Sequence, residues 1–374
     1  MKIAFASDNA YPWFNGGIEK RRFLIAQQFV RAGHEVHFFT MRQRGMDSSE
    51  FSKFGVNYHC TADATEAGKL YKNGRRSITL AIKHSFLTFF KMLNYRFDAI
   101  DCDAFPFFNV VLLKAYSTLT GAKMAVTWYE TWSREYWQSY LGAAKGMVGY
   151  CIEMLAAMCS SRIISISSAT SDSLVDIFEI KRSSITLLPA AISIQELRDM
   201  GKKPRQNNSF VVACRLIPEK RVDLAIEAMK DVDAKLLIVG KGPESGKLRD
   251  LSRRLGIEKK IEFKEALSRE ALFGKIRASR GLILASEREG LSLIALESIA
   301  LGTPVFILGT TMVPKEVRRY CVEATDGNLA PLLSKALKTS KFSKQANANR
   351  KDVMREFSSD AALAAYEKAL GTKL

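Results

Sequence analysis

Two glutamates, Glu289 and Glu297, flank a glycine and the start of an apolar run. The stretch reads Ser286-Glu-Arg-Glu-Gly-Leu-Ser-Leu-Ile-Ala-Leu-Glu-Ser-Ile-Ala-Leu-Gly-Thr-Pro-Val305. Glu289 is expected in the loop after a strand at Gly281–Ala285. Ser292 is expected to cap the following helix, and Gly302 with Pro304 to end it. A helix start presents unpaired N–H groups and a partial positive charge, which suits a phosphate. Glu297 falls inside the helix among Ile294, Ala295, Leu296, Ile299 and Ala300. A carboxylate there is costly unless paired, and it can accept hydrogen bonds from ligand hydroxyls. A diphosphate with hydroxyls describes a nucleotide sugar. The plainer reading, a solvated helix with two surface glutamates, fits those apolar neighbours poorly.

Two more loops carry chemistry of the same kind. The first, Asn9-Ala-Tyr-Pro-Trp-Phe-Asn-Gly-Gly-Ile-Glu19, follows an opening strand, and its Gly16 and Gly17 precede a helix. Glycines there let backbone approach a phosphate or sugar closely. The dinucleotide pattern G-x-G-x-x-G is absent. The second, Cys214-Arg-Leu-Ile-Pro-Glu-Lys-Arg221, supplies a planar guanidinium at Arg215 and a point charge at Lys220. A third turn, Val239-Gly-Lys-Gly-Pro-Glu244, reads as glycines serving turn geometry.

The run from Glu289 to Val305 resembles the signature of the retaining GT-B glycosyltransferases of family 4, also called group 1. That signature is Glu, seven residues, Glu, then Gly-x-Pro-Val, here Gly302-Thr-Pro-Val305. The Gly16-Gly17 loop and the Arg215–Lys220 segment resemble the same family, with Cys214 and Arg221 standing where glycine is usual. The resemblance implies transfer of a sugar from a UDP- or GDP-sugar to a hydroxyl of a glycan or lipid-linked acceptor, with retention at the anomeric carbon. It implies that Arg215, Lys220 and the N–H groups of Gly290, Leu291 and Ser292 stabilise the diphosphate. Glu289 would orient the donor sugar and Glu297 the ribose. Tyr129, with Glu130 beside it, stands where many relatives carry a histidine that touches the donor sugar. No metal or other cofactor is implied. The triplet Asp101-Cys-Asp103 reads as a strand end rather than a metal clamp.

The elements that must position these residues alternate. Strand-like runs at Lys2–Ala6, Glu35–Thr40, Asp98–Asp101, Lys123–Thr127, Arg162–Ser167 and Ile185–Leu188 occupy the first half. Others at Phe210–Ala213, Lys235–Val239, Ile261–Phe263, Gly281–Ala285 and Val305–Leu308 occupy the second. Helical stretches at Ile18–Ala32, Val222–Met229, Ser245–Leu255 and Arg269–Ala278 lie between. Alternation of this kind predicts parallel sheets covered by helices. Two such sets predict an α/β protein of two Rossmann-like domains, the GT-B arrangement with sheets facing a central cleft. The expected bounds are 1–190 for an acceptor-side domain and 191–355 for the nucleotide-sugar domain. A closing helix at 356–374 is expected to return to the first domain. The linker falls near Ala190–Asn208, which is polar and turn-rich, and closure about it on donor binding is expected.

The chain has 374 residues, 47% hydrophobic content and a net charge of +17. That charge favours polyanionic partners: nucleotides, nucleic acid or an anionic membrane surface. Between Ala67 and Phe97 lie Lys69, Lys72, Arg75, Arg76, Lys83, Lys91 and Arg96 and no acid. Ile78, Ile82, Phe86, Phe89 and Leu93 repeat there at helical spacing, as in a helix lying in a membrane interface. The plainer reading packs that stripe on its own sheet. The aromatic cluster Trp128, Tyr129, Trp132, Tyr136, Trp137 and Tyr140 is either a sugar-stacking platform or core. Six cysteines without a C-x-x-C pair read as buried reduced thiols of a cytosolic protein. No signal peptide and no membrane span are expected, so the expected location is the cytosol, where a lipid-linked acceptor would be met at the cytoplasmic face of a membrane. A sugar-nucleotide epimerase of the same fold and a non-catalytic sugar- or lipid-binding protein are the alternatives. No nucleic-acid-binding module is recognisable.

Overall fold

The computed structural model describes residues 1–14, 16–47, 52–65, 71–72, 75–188, 191–198, 207–324 and 326–371, and for residues 53, 71, 72, 75, 76, 195 and 198 only the backbone. The chain divides into two compact units, Met1–Ala191 with Ser359–Leu374, and Ile192–Ser358. Much of the expected linker, including 199–206, lies outside the described residues.

In chain order the first unit contains β1 (Lys2–Ala6), α1 (Gly17–Arg31), β2 (Glu35–Arg42), β3 (Val56–Asp63), β4 (Tyr71–Lys72), β5 (Arg75–Arg76), α2 (Ile78–Met92), β6 (Ala99–Asp103), α3 (Phe107–Thr120), β7 (Lys123–Trp128), α4 (Arg134–Leu141), α5 (Ala143–Cys159), β8 (Ile163–Ser165), α6 (Ser168–Phe178) and β9 (Ile185–Leu187). Seven strands form a parallel sheet in the order β3-β2-β1-β6-β7-β8-β9. β4 and β5 form a separate antiparallel pair. Every residue of β6 is buried, as expected of a strand covered on both faces. β3 adds a strand beyond those expected from the sequence. Its residues, Val-Asn-Tyr-His-Cys-Thr-Ala-Asp, include polar ones because the strand lies at the sheet edge.

The second unit contains α7 (Ile194–Arg198), β10 (Ser209–Ala213), α8 (Val222–Ala228), β11 (Lys235–Val239), α9 (Ser245–Arg254), β12 (Ile261–Lys264), α10 (Arg269–Ala278), β13 (Gly281–Leu284), α11 (Leu293–Ala300), β14 (Val305–Leu308), α12 (Lys315–Arg318), β15 (Val322–Ala324), α13 (Leu329–Lys338) and α14 (Lys341–Glu356). Its sheet runs β12-β11-β10-β13-β14-β15, all parallel. The order reverses direction between β10 and β13. In doubly wound sheets that switch point opens a crevice at the carboxyl ends of the strands, where ligands bind. The last helix, α15 (Ser359–Leu370), belongs to the first unit. Tyr366 anchors it: the ring meets Phe29 edge-on at 5.5 Å between centroids, and the hydroxyl donates to Asp101.

Candidate functional site

The loops after β10 and β13 flank the switch point of the second unit, and they bring Lys220 and Glu289 together. Lys220 Nζ donates to Glu289 Oε1 at 2.7 Å, and Ser286 Oγ donates to the same oxygen at 2.5 Å. Both partners are mostly buried, with side chains 18% and 10% exposed. Gly290 is exposed, and Leu291 is buried. An open hollow lies alongside, lined by Arg221, Leu224, Ser286, Glu287, Thr310 and Met312. Arg215 is exposed on the first of these loops. Glu297 is buried on α11, where Arg269 Nη2 donates to it at 2.6 Å. Arg269 also donates through Nε to Glu196 at 2.8 Å.

Local geometry explains several residue types. Arg221 has a left-handed backbone, at φ 44° and ψ 42°, a conformation that glycine adopts without strain and arginine does not. Its side chain pairs with Asp223 at 3.0 Å and approaches Glu287 at 3.6 Å. A side chain at Gly240 would fall on the carbonyl oxygen of Cys214, and one at Gly242 on that of Leu216. Leu216 N–H donates to Lys241, and Glu244 N–H donates back to Leu216, both at 3.0 Å. The third glycine turn therefore props up the loop that carries Arg215 and Lys220. Ser292 differs from expectation. It occupies the N-cap position of α11, but at φ 69° its hydroxyl makes no cap bond and is buried without a partner among the described residues.

In the first unit, Gly17 opens α1 and is exposed, whereas the space a side chain would need at Gly16 is taken by Glu19. Gly16 therefore serves the packing of Glu19. Arg22 is fully buried on α1. Its Nε donates to Asp103 at 2.8 Å, and its terminal nitrogens pair with Asp101 and Asp103. The Asp101-Cys-Asp103 triplet is thus committed to an internal ion pair at the end of β6. Tyr129 is half-buried, with its hydroxyl shielded from solvent and unpartnered among the described residues. Glu130 is exposed and accepts from Trp132 Nε1 at 3.0 Å.

The aromatic cluster divides. Trp128 and Trp137 are core. Trp132, Tyr136 and Tyr140 pack on one another, with Trp132 4.8 Å from Tyr136 and 5.1 Å from Tyr140 between ring centroids. Close by, Glu153 accepts from Trp132 N–H at 2.8 Å and from Trp137 Nε1, and burial pushes its carboxyl up to about 8. None of the six cysteines is disulfide-bonded, but only Cys102 is buried as expected; Cys60, Cys159, Cys214 and Cys321 are half-buried and Cys151 is exposed on α5.

Residues 193–352 match the family described as glycosyl transferases group 1, and residues 15–196 match glycosyltransferase family 4. The chain belongs to the family 4, or group 1, glycosyltransferases. An uncharacterized glycosyltransferase of Methanocaldococcus jannaschii is 22% identical over 82% of this chain and 80% of its own. A sucrose-phosphate synthase of Thermosynechococcus elongatus superposes with TM-score 0.75 at 16% identity, over 98% of this chain and 97% of that one. An Anabaena protein crystallised with UDP superposes with TM-score 0.74 at 15% identity, over 99% and 100%. The fold is accordingly GT-B.

Two features of this glycosyltransferase are not legible in its sequence. One is the partner of Glu297. Arg269 fills that place, held in turn by Glu196, and only the apolar setting of Glu297 signals that some cation must reach it. The other is the orientation of α2. Its buried face is Ala81, His84, Ser85, Thr88 and Met92, while Ile78, Phe86, Leu87, Phe90 and Leu93 are exposed, Phe90 at 60%. The plainer expectation, a stripe packed on its own sheet, therefore fails for Ile78, Phe86 and Leu93, and only Ile82 and Phe89 of that stripe are partly buried. Lys83 and Arg96 are exposed. Lys91 is not a surface cation, since its ammonium donates to the carbonyl of Cys60 at 3.0 Å. Lys69 and the side chains of Lys72, Arg75 and Arg76 lie outside the described residues. Among the described residues no helix is long and apolar enough to cross a membrane.

Proposed function

We propose that this glycosyltransferase moves a hexosyl group from a UDP- or GDP-sugar to a hydroxyl of a glycan or lipid-linked acceptor, with retention and without a divalent metal. The observation that carries the reading is the Lys220–Glu289 pair at the switch point, beside the start of α11. Lys220 and Arg215 face the diphosphate as charge-assisted donors, and the N–H groups of Gly290, Leu291 and Ser292 add the helix-start field. Glu289 orients the donor-sugar hydroxyls and Glu297 the ribose. The bond from the anomeric carbon to the leaving phosphate oxygen breaks, and the acceptor oxygen bonds to that carbon on the same face. The acceptor's proton passes to the departing diphosphate. Preorganised cations replace the metal ion in stabilising that leaving group. The Anabaena protein crystallised with UDP supports a uridine nucleotide as the first donor to try.

A calorimetric panel of UDP, GDP and ADP tests the donor. Lys220→Ala and Arg215→Ala should each weaken binding of the preferred nucleotide by about 1.5–3 kcal/mol, with turnover of wild type persisting in EDTA. Unchanged titrations in both variants would remove the assignment.

The outward apolar face of α2 with Lys83 and Arg96 supports a peripheral place on an anionic membrane, where a lipid-linked acceptor would be met. α3 and α5 add exposed Leu119, Val148, Leu155 and Met158.

A further inference from the structure

Three adjacent strands of the first unit, β1, β6 and β7, end at one edge of the sheet. The segment after each one carries a polar side chain whose buried polar atoms have no hydrogen-bond partner among the described residues. After β1 comes Arg21, on the second turn of α1. It is 2% exposed, and Nε, Nη1 and Nη2 all lack an acceptor. After β6 comes Asn109, on the first turn of α3, fully buried with both amide atoms unpartnered. After β7 come Tyr129 and Thr131, each with a buried, unpartnered hydroxyl. The Arg21 guanidinium lies 5.8 Å from the Tyr129 ring centroid.

The neighbouring Arg22 makes the contrast. It takes both Asp101 and Asp103 at hydrogen-bonding distance, and Arg21 has no carboxylate among the described residues. A buried cation with five unfilled N–H donors is strongly unfavourable, and proteins rarely leave such groups unsatisfied. Burial holds the Tyr129 hydroxyl protonated, so it too is a donor. A fixed positive charge with a hydroxyl-bearing ring beside it suits an oxyanion, and a guanidinium fork matches two of its oxygens. The strand ends of β1 and β6 are also the switch point of this sheet, where ligands bind.

We infer that Arg21, with Tyr129 beside it, forms an oxyanion subsite in the first unit, and that the acceptor of this glycosyltransferase carries a phosphate or carboxylate that fills it. The inference rests on reading the first unit as the acceptor-side unit. Phosphate and carboxylate share the recognition chemistry, and separate probes distinguish them.

The test uses the full chain and two probes, inorganic phosphate and malonate, with saturating UDP or GDP present so that the cationic loop of the second unit is already filled. Melting temperature and calorimetric titration are read for wild type, Arg21→Gln, Arg21→Lys and Tyr129→Phe. One probe should raise the melting temperature of wild type. Arg21→Gln should lose at least tenfold in affinity for that probe and keep its nucleotide affinity. Arg21→Lys should fall between, and Tyr129→Phe should weaken the probe a few-fold with no change in charge. Without the probe, Arg21→Gln should be at least as stable as wild type, because it removes an unpaired buried charge. Lys220→Ala, run without nucleotide, should still bind the probe. Loss of probe binding in Arg21→Gln together with normal nucleotide binding in Lys220→Ala would support this subsite while sinking the donor assignment. Equal titrations of wild type and Arg21→Gln would overturn the subsite. So would a wild type that responds to neither probe while Arg21→Gln is destabilised, since Arg21 would then be a structural residue.

Discussion

Arg221 shows how a departure from a family pattern becomes intelligible at the scale of one residue. Its left-handed backbone is a conformation that disfavours any residue with a Cβ, by roughly 1–2 kcal/mol. Glycine adopts that conformation without strain, and Arg221 offsets the strain only in part through exposed pairs with Asp223 and Glu287, each worth at most about 1 kcal/mol. Comparing two substitutions isolates the backbone effect. Arg221→Ala and Arg221→Gly both lose the pairs, but only alanine keeps the strain. Denaturant unfolding should therefore rank Arg221→Gly above Arg221→Ala by about 1 kcal/mol. The reverse order would mean that the position is not left-handed in solution. The identity of each loop residue is plain in the sequence; the backbone conformation that selects among them is not.

At the scale of the element, the site depends on one loop leaning on another. Gly242 touches no proposed ligand, yet a Cβ there would fall on the backbone oxygen of Leu216, which cannot move without the Cys214–Arg221 loop. Gly242→Ala should destabilise the protein by about 1–3 kcal/mol, as overpacking commonly does, and should weaken nucleotide binding in calorimetry. Gly246, on α9, has nothing within 4 Å of the added Cβ. Gly246→Ala is the control, and should be neutral or stabilising by about 0.5–1 kcal/mol. Nucleotide binding equal to wild type in Gly242→Ala would show that the two loops are uncoupled. The alternation of strands and helices is legible because apolar periodicity and turn residues are local signals. The three-residue β15 and the polar edge strand β3 escape because such short or half-exposed strands carry little periodicity.

For the whole molecule, the net charge of +17 and the outward face of α2 belong together. An apolar helix face rimmed by lysine and arginine, with no acid between Ala67 and Phe97, fits an anionic leaflet. Each basic residue near such a surface contributes about 1 kcal/mol, lost progressively with salt. The protein should co-sediment with anionic vesicles at low salt and not with neutral ones. Lys83→Glu and Phe90→Ser should each reduce that binding and leave nucleotide affinity intact. Lys91 is unsuited to the test, because its bond to Cys60 ties α2 to β3. Absence of binding to anionic vesicles would favour a soluble acceptor.

The sequence by itself determined the α/β class, the two sets of strands and the glycine- and cation-bearing loops, since each of these is written in residues close together along the chain. Tertiary structure alone decided which charges meet. Lys220 finds Glu289 and Arg22 finds Asp101 and Asp103 because the sheets place β10 beside β13 and β1 beside β6, and Arg269 finds Glu297 because α10 packs against α11. Tertiary structure also turned the apolar stripe of α2 outward and left Arg21 buried without a carboxylate among the described residues. Helical spacing says that a helix has two faces, but only the packing of its neighbours says which one is covered.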